Sequence, residues 1–370
     1  MSIRVNPDLP QELRHYGKGD WNECFHCGNC TAVCPLTANG ELFPRKVIRH
    51  LQMGLTDRLA GSLEPWLCYY CGECSEKCPR GAEPGELMMT LRRWLIGRYD
   101  FTGAAGAFFK STKLEVLAVV LAAILSGAFF LAYGFTRGDI HVYDGAGAFL
   151  PSAFIHFFDL GLGAVLGSML AINVFRMWRL CLGGARVPLW RYVQKFYLFP
   201  WHFFSQKRYS QCENPEGRGY GMPWFIHLGL MLGYVTMLVL VMVFIHWLQA
   251  GPEINWFVHA FGYAATLGLA VGCIYFLRRR LKKTEEQYQH SHGSDWVFVI
   301  LLCLIVATGV LQHVLHRTGL PAAANVAYVL HLMCVVPWLL RMPFSKWSHL
   351  VYRPMAMYFA GLKNAAGSGK

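Results

Sequence analysis

The sequence predicts an all-α protein in which a small helical domain precedes a bundle of six transmembrane helices. The chain of 370 residues has a mean hydropathy of +0.30 and only 15% charged residues, which is too apolar for a soluble protein of this length. Six apolar stretches each approach the roughly 20 residues that cross a bilayer core. Little of the remaining sequence alternates with the two-residue period of a strand. We therefore expect a helical domain over residues 1–105 and a membrane domain over residues 106–370.

The N-terminal domain contains two copies of a Cys-x2-Cys-x2-Cys-x3-Cys-Pro motif. A thiolate at every third residue lets three sulfurs face one turn and bind three irons of a [4Fe–4S] cube, and in two-cluster ferredoxins the fourth cysteine ligates the other cluster. A lone Cys-x2-Cys pair would also suit zinc or a redox dithiol, but two complete motifs favour clusters over zinc or disulfides. We therefore predict two [4Fe–4S] clusters, one bound by Cys24, Cys27, Cys30 and Cys78 and the other by Cys68, Cys71, Cys74 and Cys34.

The residues around the two motifs have helical spacing. Val47, Leu51, Leu55 and Leu59 recur every four residues and predict one amphipathic helix between the motifs. A second helix is expected after Pro84. The domain is therefore predicted to be a helical ferredoxin.

The positions of the basic residues predict the orientation of the bundle. The predicted spans are about 114–135, 152–175, 223–248, 256–277, 295–314 and 325–342. Segment 176–222, segment 278–294 and the tail from Arg341 carry eight, five and five Lys or Arg, whereas the three alternate loops carry two in all. This bias predicts a multi-pass protein of the cytoplasmic membrane with both termini and the cysteine domain in the cytoplasm. The net charge of +12 then reflects membrane topology and contact with lipid, and not binding of nucleic acid.

Histidines within the predicted spans point to b-type haem, because ionisable groups at membrane depth are costly and usually functional. His331 and His349 are 18 residues apart, about five helical turns or about 27 Å along one helix. His227 and His246 lie 19 residues apart, near the inner and outer ends of the third span. By depth, His227 pairs with His349 at an inner haem, and His246 with His331 at an outer haem. His156 and His259 also lie at outer depth and are alternatives to His246.

Residues at either end of the bundle could bind a quinone. His313, His316 and Arg317 stand at the outer end of the fifth span. Lys346 and the aromatic segment around Trp201 and His202 lie on the inner side. The sequence leaves open which side carries the site.

Three segments resemble known families of electron-transfer proteins. The segment PFSKWSHLVYRP, residues 343–354, resembles the last haem-ligating helix of the gamma subunit of respiratory nitrate reductase, and IHLGLMLG, residues 226–233, is similar to the start of that family's other ligand helix. That family usually has a second His ten residues on, where this chain has Met237, so Met237 is a further alternative for the outer haem. The cysteine domain resembles the C subunit of heterodisulfide reductase and, more distantly, the cluster domain of succinate dehydrogenases.

The two halves in this order resemble the C subunit of the quinone-interacting membrane-bound oxidoreductases of sulfate reducers. The resemblance implies a protein that relays electrons between menaquinone, two b haems and two [4Fe–4S] clusters. It also implies flavin-bearing A and B subunits as partners and adenylylsulfate reductase as the soluble acceptor or donor. Two other hypotheses are compatible with the same sequence: the membrane subunit of a heterodisulfide reductase-type complex, and a passive membrane anchor for an iron–sulfur protein.

Overall fold

The computed structural model describes residues 4–39, 42–142, 148–207, 221–249, 255–283 and 286–367, and within these ranges it is helical and contains no β-strand. This confirms the predicted all-α class. The N-terminal domain consists of α1 (Leu9–Arg14), α2 (Asn29–Val33), α3 (Arg45–Gln52), α4 (Thr56–Ala60), α5 (Glu64–Leu67), α6 (Glu73–Glu76), α7 (Pro84–Tyr99) and α8 (Ala104–Lys110).

The prediction for the segment between the cysteine motifs was wrong in one respect. The predicted single helix is two helices, α3 and α4, separated by a turn at Gly54, whose φ is 66°. The Gly54 N–H donates to the carbonyl of Leu51, which ends α3, and glycine adopts this left-handed conformation without steric cost. The spacing of core-facing side chains continues across the break, because Val47, Leu51 and Leu59 are all buried. The helix expected after Pro84 is confirmed as α7.

The remaining chain forms the membrane domain. In the described part of the chain, six helices are long and apolar enough to cross a membrane. Side chains such as Leu125, Phe157 and Leu267 are 68%, 72% and 66% exposed on their outer faces, as expected for contact with lipid. The helices are α9 (Thr112–Arg137), α10 (Ser152–Leu182), the surface helices α11 (Leu189–Lys195) and α12 (Leu198–Ser205), α13 (Met222–Gln249), α14 (Trp256–Lys282), α15 (Glu286–Gln289), α16 (Gly293–Arg317), α17 (Pro321–Leu340) and α18 (His349–Gly367).

The helical geometry expected between His331 and His349 is not present. Helix α17 ends at Leu340, and α18 begins at His349 after a turn and a short 3-10 helix. The two histidines therefore lie on different helices and do not share one helical face. Pro343 lies in the connection, where it cannot donate the backbone hydrogen bond that would continue α17.

The cysteine domain shares one buried core with the end of the bundle beside it, which is called the inner end; the opposite end is called the outer end. Trp66, Tyr99 and Tyr352 are fully buried, and their ring centroids lie 5.4 to 6.3 Å apart. Tyr352 belongs to α18, so this aromatic cluster joins the two ends of the chain. Arg176 of α10 adds a hydrogen bond of 2.8 Å from Nε to the carbonyl of Tyr99. The cluster domain is thus packed into the bundle.

A buried ion pair ties three membrane helices together at their inner ends. Glu115 of α9 is 1% exposed, and Arg341, just after α17, is 4% exposed. Arg341 Nη2 donates to Glu115 Oε1, and the hydroxyl of Ser294 in α16 donates to the same oxygen at 2.9 Å.

Candidate functional site

The two cysteine motifs have the same local backbone. His26 and Tyr70, two residues after the first cysteine of each motif, have φ of 62° and 61°. Gly28 and Gly72 have φ of 92° and 89° and each precedes a short helix, α2 or α6. Two left-handed residues in three positions bend each loop back on itself, which turns successive thiols toward one side.

The thiols form two groups that each draw on both motifs. One cavity is lined by Cys24, Cys27, Cys30 and Cys78. Cys34 lies near Cys68 and Cys71, and Cys74 lies near Cys34, Cys68 and Cys71; Cys30 of the first cavity is also near both Cys34 and Cys74. The exchange of fourth ligands between the clusters stays a prediction. Burial raises the pKa of Cys34 to about 11 and also raises the pKa of Cys74, so these sulfurs need a bound metal to become thiolates.

The two groups of thiols differ in their surroundings. Cys27 is exposed, and its neighbour Phe25 is 60% exposed. Cys68 is only 7% exposed, and its carbonyl accepts hydrogen bonds from Arg92 and from Arg353 of α18. The group with Cys68 therefore lies against the membrane domain, and the group with Cys27 lies at the surface.

An inner cavity of about 260 Å³ lies between the cysteine domain and the bundle and is lined by His227 and His349. Their ring centroids lie 6.5 Å apart. Two imidazoles that bind one metal ion from opposite sides, each through a bond of about 2.0 Å, would have centroids about 6 Å apart. His227 Nδ1 donates to Gln206 Oε1 at 2.6 Å, and His349 Nδ1 donates to the carbonyl of Lys346. Both histidines therefore have the tautomer whose Nε2 can ligate a metal, so the pair fits a haem iron.

Charged side chains surround the inner cavity. Lys346 Nζ lies 3.0 Å from Asp295 Oδ1, and Arg280 Nη1 lies 3.7 Å from Asp295 Oδ2. Burial lowers the pKa of Lys346 to about 8, although Asp295 opposes this shift. Arg92, Arg93 and Arg353 also line the cavity, which makes the lining predominantly basic. A basic lining suits the carboxylate groups of a haem.

An outer cavity of about 460 Å³ lies farther along the bundle, within the size range of small-molecule sites. His331 Nδ1 lies 3.0 Å from the hydroxyl of Thr308, which itself donates to a backbone carbonyl and so accepts from the ring. His259 Nδ1 donates to the carbonyl of Asn255 at 3.0 Å. Five further residues of interest line this cavity: Met237, Asp159, His313, His316 and Arg317.

Two of the residues predicted for the outer haem, His246 and its alternative His156, lie elsewhere. His246 is exposed beside Trp247 and lines neither the inner nor the outer cavity, so it is not brought together with His331. Phe244, two residues earlier, has non-helical φ and ψ of −115° and 16°, which changes the direction of the end of α13. His156 is half-buried and likewise lines neither cavity.

Sequence reasoning missed several polar residues at these cavities. Asp159 and Asp295 are acidic residues within apolar spans, and this rarity alone could have marked them. Arg353 follows His349 by four residues, so it lies one turn along the same helix. Gln206 and Thr308 gave no signal in the sequence, because their roles depend on contacts across the fold.

Comparison with known proteins identifies the N-terminal segment. Residues 20–82 match the family described as a 4Fe-4S dicluster domain. A heterodisulfide reductase C subunit-like protein of Archaeoglobus profundus is 40% identical over 77 residues, which are 20% of this chain and 41% of that protein. The iron–sulfur C subunit of the CoB–CoM heterodisulfide reductase of Methanopyrus kandleri is 36% identical over 71 residues, 17% of this chain and 37% of that protein. No solved structure matches the chain.

These similarities cover the cysteine domain only. The chain spans about two fifths of the length of the curated relatives it matches. The N-terminal segment is therefore a dicluster domain similar to the C subunit of heterodisulfide reductase, which supports two [4Fe–4S] clusters and a role in electron transfer. The six long apolar helices indicate a multi-pass membrane protein.

Proposed function

We propose that this protein is the membrane subunit of a quinone oxidoreductase complex, in which it relays electrons between menaquinone and soluble flavoprotein subunits. The observation that carries the proposal is the succession of two histidine-containing cavities and two groups of thiols from one end of the molecule to the other. The haems, when bound, would supply the one-electron carriers of the membrane domain. The chain itself provides ligands, spacing and local polarity, which tune the potential of each carrier.

His227 and His349 are the proposed ligands of the inner haem. Gln206 and the carbonyl of Lys346 orient the two rings through their Nδ1 atoms. Such partners of ligand histidines fix the tautomer and increase the basicity of the ring. Burial lowers the pKa of His349 to about 3, so its ring is neutral and able to bind a metal at physiological pH.

His331 is the proposed ligand of the outer haem, and two side chains in its cavity are candidates for the partner. Met237 lies 12 residues from the outer end of α13, about 18 Å, and His331 lies ten residues from the outer end of α17, about 15 Å. His259 lies only three residues, about 5 Å, from the outer end of α14. Depth therefore favours Met237, whereas the Nδ1 contact of His259 favours the histidine.

The proposed order of the clusters follows from their surroundings. The cluster of Cys34, Cys68, Cys71 and Cys74 would exchange electrons with the inner haem, because Cys68 contacts α18, the helix of His349. The cluster with exposed Cys27 would exchange electrons with a partner protein. We infer that the A and B subunits dock on this cytoplasmic face and link the complex to adenylylsulfate reductase.

The outer end of the outer cavity, beyond the proposed haem at His331, is the proposed quinone site. His313, His316 and Arg317 line the cavity from the last five residues of α16, and Asp159 adds a buried carboxyl group from a neighbouring span. Histidine and carboxyl groups can take up or release the protons that accompany quinone chemistry. A quinone site on the inner side is the alternative. It would use Lys346, which lines the inner cavity, and His202, which lines a smaller cavity that also contacts His227 and His349.

A second candidate is the membrane subunit of a heterodisulfide reductase-type complex, and the names of the two relatives favour it. The two functions differ in the substrate that restores the reduced clusters to the oxidised state. The purified complex, prereduced and mixed anaerobically with menaquinone or with a thiol disulfide, should be reoxidised by the quinone in the proposed function and by the disulfide in the alternative.

The haem assignment is tested by a reduced-minus-oxidised optical spectrum of the purified protein. Bands of b-type haem with two haems per chain are expected, and their absence would leave a passive anchor as the better description.

Substitution of the proposed ligands tests which histidines bind which haem. His227→Leu and His349→Leu should each remove the same haem, and His331→Leu the other. His246→Leu is a matched control from α13, because this exposed histidine lines neither cavity. Retention of both haems in His227→Leu would refute the inner assignment. Comparing Met237→Leu with His259→Leu identifies the second outer ligand.

A further inference from the structure

Two arginines bind the backbone of one cluster ligand. Arg92 of α7 donates from Nη2 to the carbonyl of Cys68 at 2.5 Å and from Nε to the carbonyl of Pro65 at 2.7 Å. Arg353 of α18 donates from Nη2 to the same Cys68 carbonyl at 3.2 Å. One carbonyl oxygen thus accepts hydrogen bonds from two guanidinium groups, which come from opposite ends of the chain.

This contact connects the cluster loop with the helix of a proposed haem ligand. Arg353 follows His349 by four residues in α18, so the two side chains lie one helical turn apart. Both residues, and Arg92, line the inner cavity. Guanidinium groups stay protonated at every physiological pH, so the two positive charges are permanent. Two arginines, Arg45 and Arg80, also line the cavity of Cys24, Cys27, Cys30 and Cys78. Arg80 is paired with Glu23 at the surface, and Cys27 is exposed, so water screens the charges around this cluster more strongly.

The positive charges act unequally on the two oxidation states of a cluster. A [4Fe–4S] cluster with four thiolate ligands gains one negative charge when it is reduced, and nearby positive charge favours the more negative state. Net charge and hydrogen bonding around the cluster are known determinants of its potential. Because Cys68 is only 7% exposed, water screens this interaction little.

We propose that Arg353 and Arg92 are positioning residues that hold the Cys68 loop against α18 and raise the reduction potential of the cluster bound by Cys34, Cys68, Cys71 and Cys74 above that of the other cluster. The inference extends the proposed function, because it makes this membrane-facing cluster the easier of the two to reduce. The cluster at the exposed face then has the lower potential.

The test is a redox titration of the purified full-length protein, with each reduced cluster followed by electron paramagnetic resonance. In Arg353→Gln, we expect the reduced-to-oxidised ratio of one cluster at a fixed solution potential to fall about tenfold, which equals a shift of about −59 mV for a one-electron couple. Arg353→Lys retains the charge and should recover most of the shift. Arg98→Gln is the matched control, because it removes an exposed arginine from the same helix as Arg92.

The responding cluster is identified by ligand substitution. The signal that shifts in Arg353→Gln should be the one whose spectrum changes in Cys71→Ser, and not the one that changes in Cys27→Ser. Unchanged potentials in Arg353→Gln, or a shift confined to the Cys27 cluster, overturn the proposal. If Arg353→Gln does not assemble its clusters, Arg92→Gln decides, because it removes the other charge from the same carbonyl. These potentials are measured without quinone, so haem loss or absent quinone turnover would count against the proposed function alone.

Discussion

The buried pair of Glu115 and Arg341 should be the most sensitive electrostatic contact of the membrane domain. Removing one partner of a buried ion pair typically costs about 3–5 kcal/mol of unfolding free energy, because the other charge remains desolvated. Glu115→Gln preserves the shape of the side chain and a polar partner for Ser294, but it leaves Arg341 charged, since arginine does not lose its proton. We expect this variant to lose about 3 kcal/mol, with little dependence on pH.

Arg341→Met removes the other partner of the pair. The Glu115 carboxylate then remains buried with the Ser294 hydroxyl as its hydrogen-bond donor but without a compensating charge. We therefore expect this variant also to lose about 3 kcal/mol of unfolding free energy.

The double variant Glu115→Leu with Arg341→Met completes the cycle. In the described part of the chain, Glu115 Oε2 and Arg341 Nε and Nη1 have no hydrogen-bond partner, so apolar replacement removes desolvated atoms as well as charges. The single variants Glu115→Leu and Arg341→Met should each lose about 3 kcal/mol, and the double variant should be close to wild type, so the coupling energy should be about 6 kcal/mol. The assay is unfolding by sodium dodecyl sulfate in mixed micelles. A coupling energy below about 0.5 kcal/mol, the level of independent sites, would refute the reasoning.

Three further predictions concern the cofactor sites. Gly72→Ala should lower the unfolding free energy by about 1–2 kcal/mol, measured by thermal unfolding, and should lower the iron content, because a φ of 89° is strained for alanine. The control variant Gly184→Ala should be neutral, because there is open space around Gly184. Thr308→Val should weaken retention of the outer haem about 10–100-fold by removing the hydrogen bond to His331, while the inner haem bands in the optical spectrum remain. Iron and sulfide incorporation during anaerobic reconstitution should rise from pH 6 to pH 8. Burial raises the pKa of Cys34 to about 11, and its proton must leave before iron binds. Equal incorporation at both pH values would contradict this prediction.

The features that depend on local pattern could be predicted from the sequence. The cysteine spacing identified the dicluster domain, because the ligands of each turn are neighbours in the chain. The length and apolar character of the spans likewise identified six helices that could cross a membrane. Local pattern failed where a single residue interrupts a helix, as at Gly54 between α3 and α4.

The cavity contacts required information that periodicity does not contain. His246 matched the expected depth, but non-helical Phe244 and the rotation of α13 leave it on the exposed surface. The contact between Arg353 and Cys68 joins residues 285 positions apart, and no local rule predicts such a pair. The candidate site could therefore be predicted to the level of ligand types, while the surrounding hydrogen bonds emerged only from the fold.

The core shared by Trp66, Tyr99 and Tyr352 has a consequence for biosynthesis. Domains usually fold in the order in which the ribosome makes them. Here the cluster domain is made first, but Tyr352 belongs to the last helix, so its buried aromatic cluster is incomplete until translation has nearly ended. The nascent cysteine domain must therefore wait beside the membrane with part of its core open, and that interval is available to the machinery that inserts iron and sulfide.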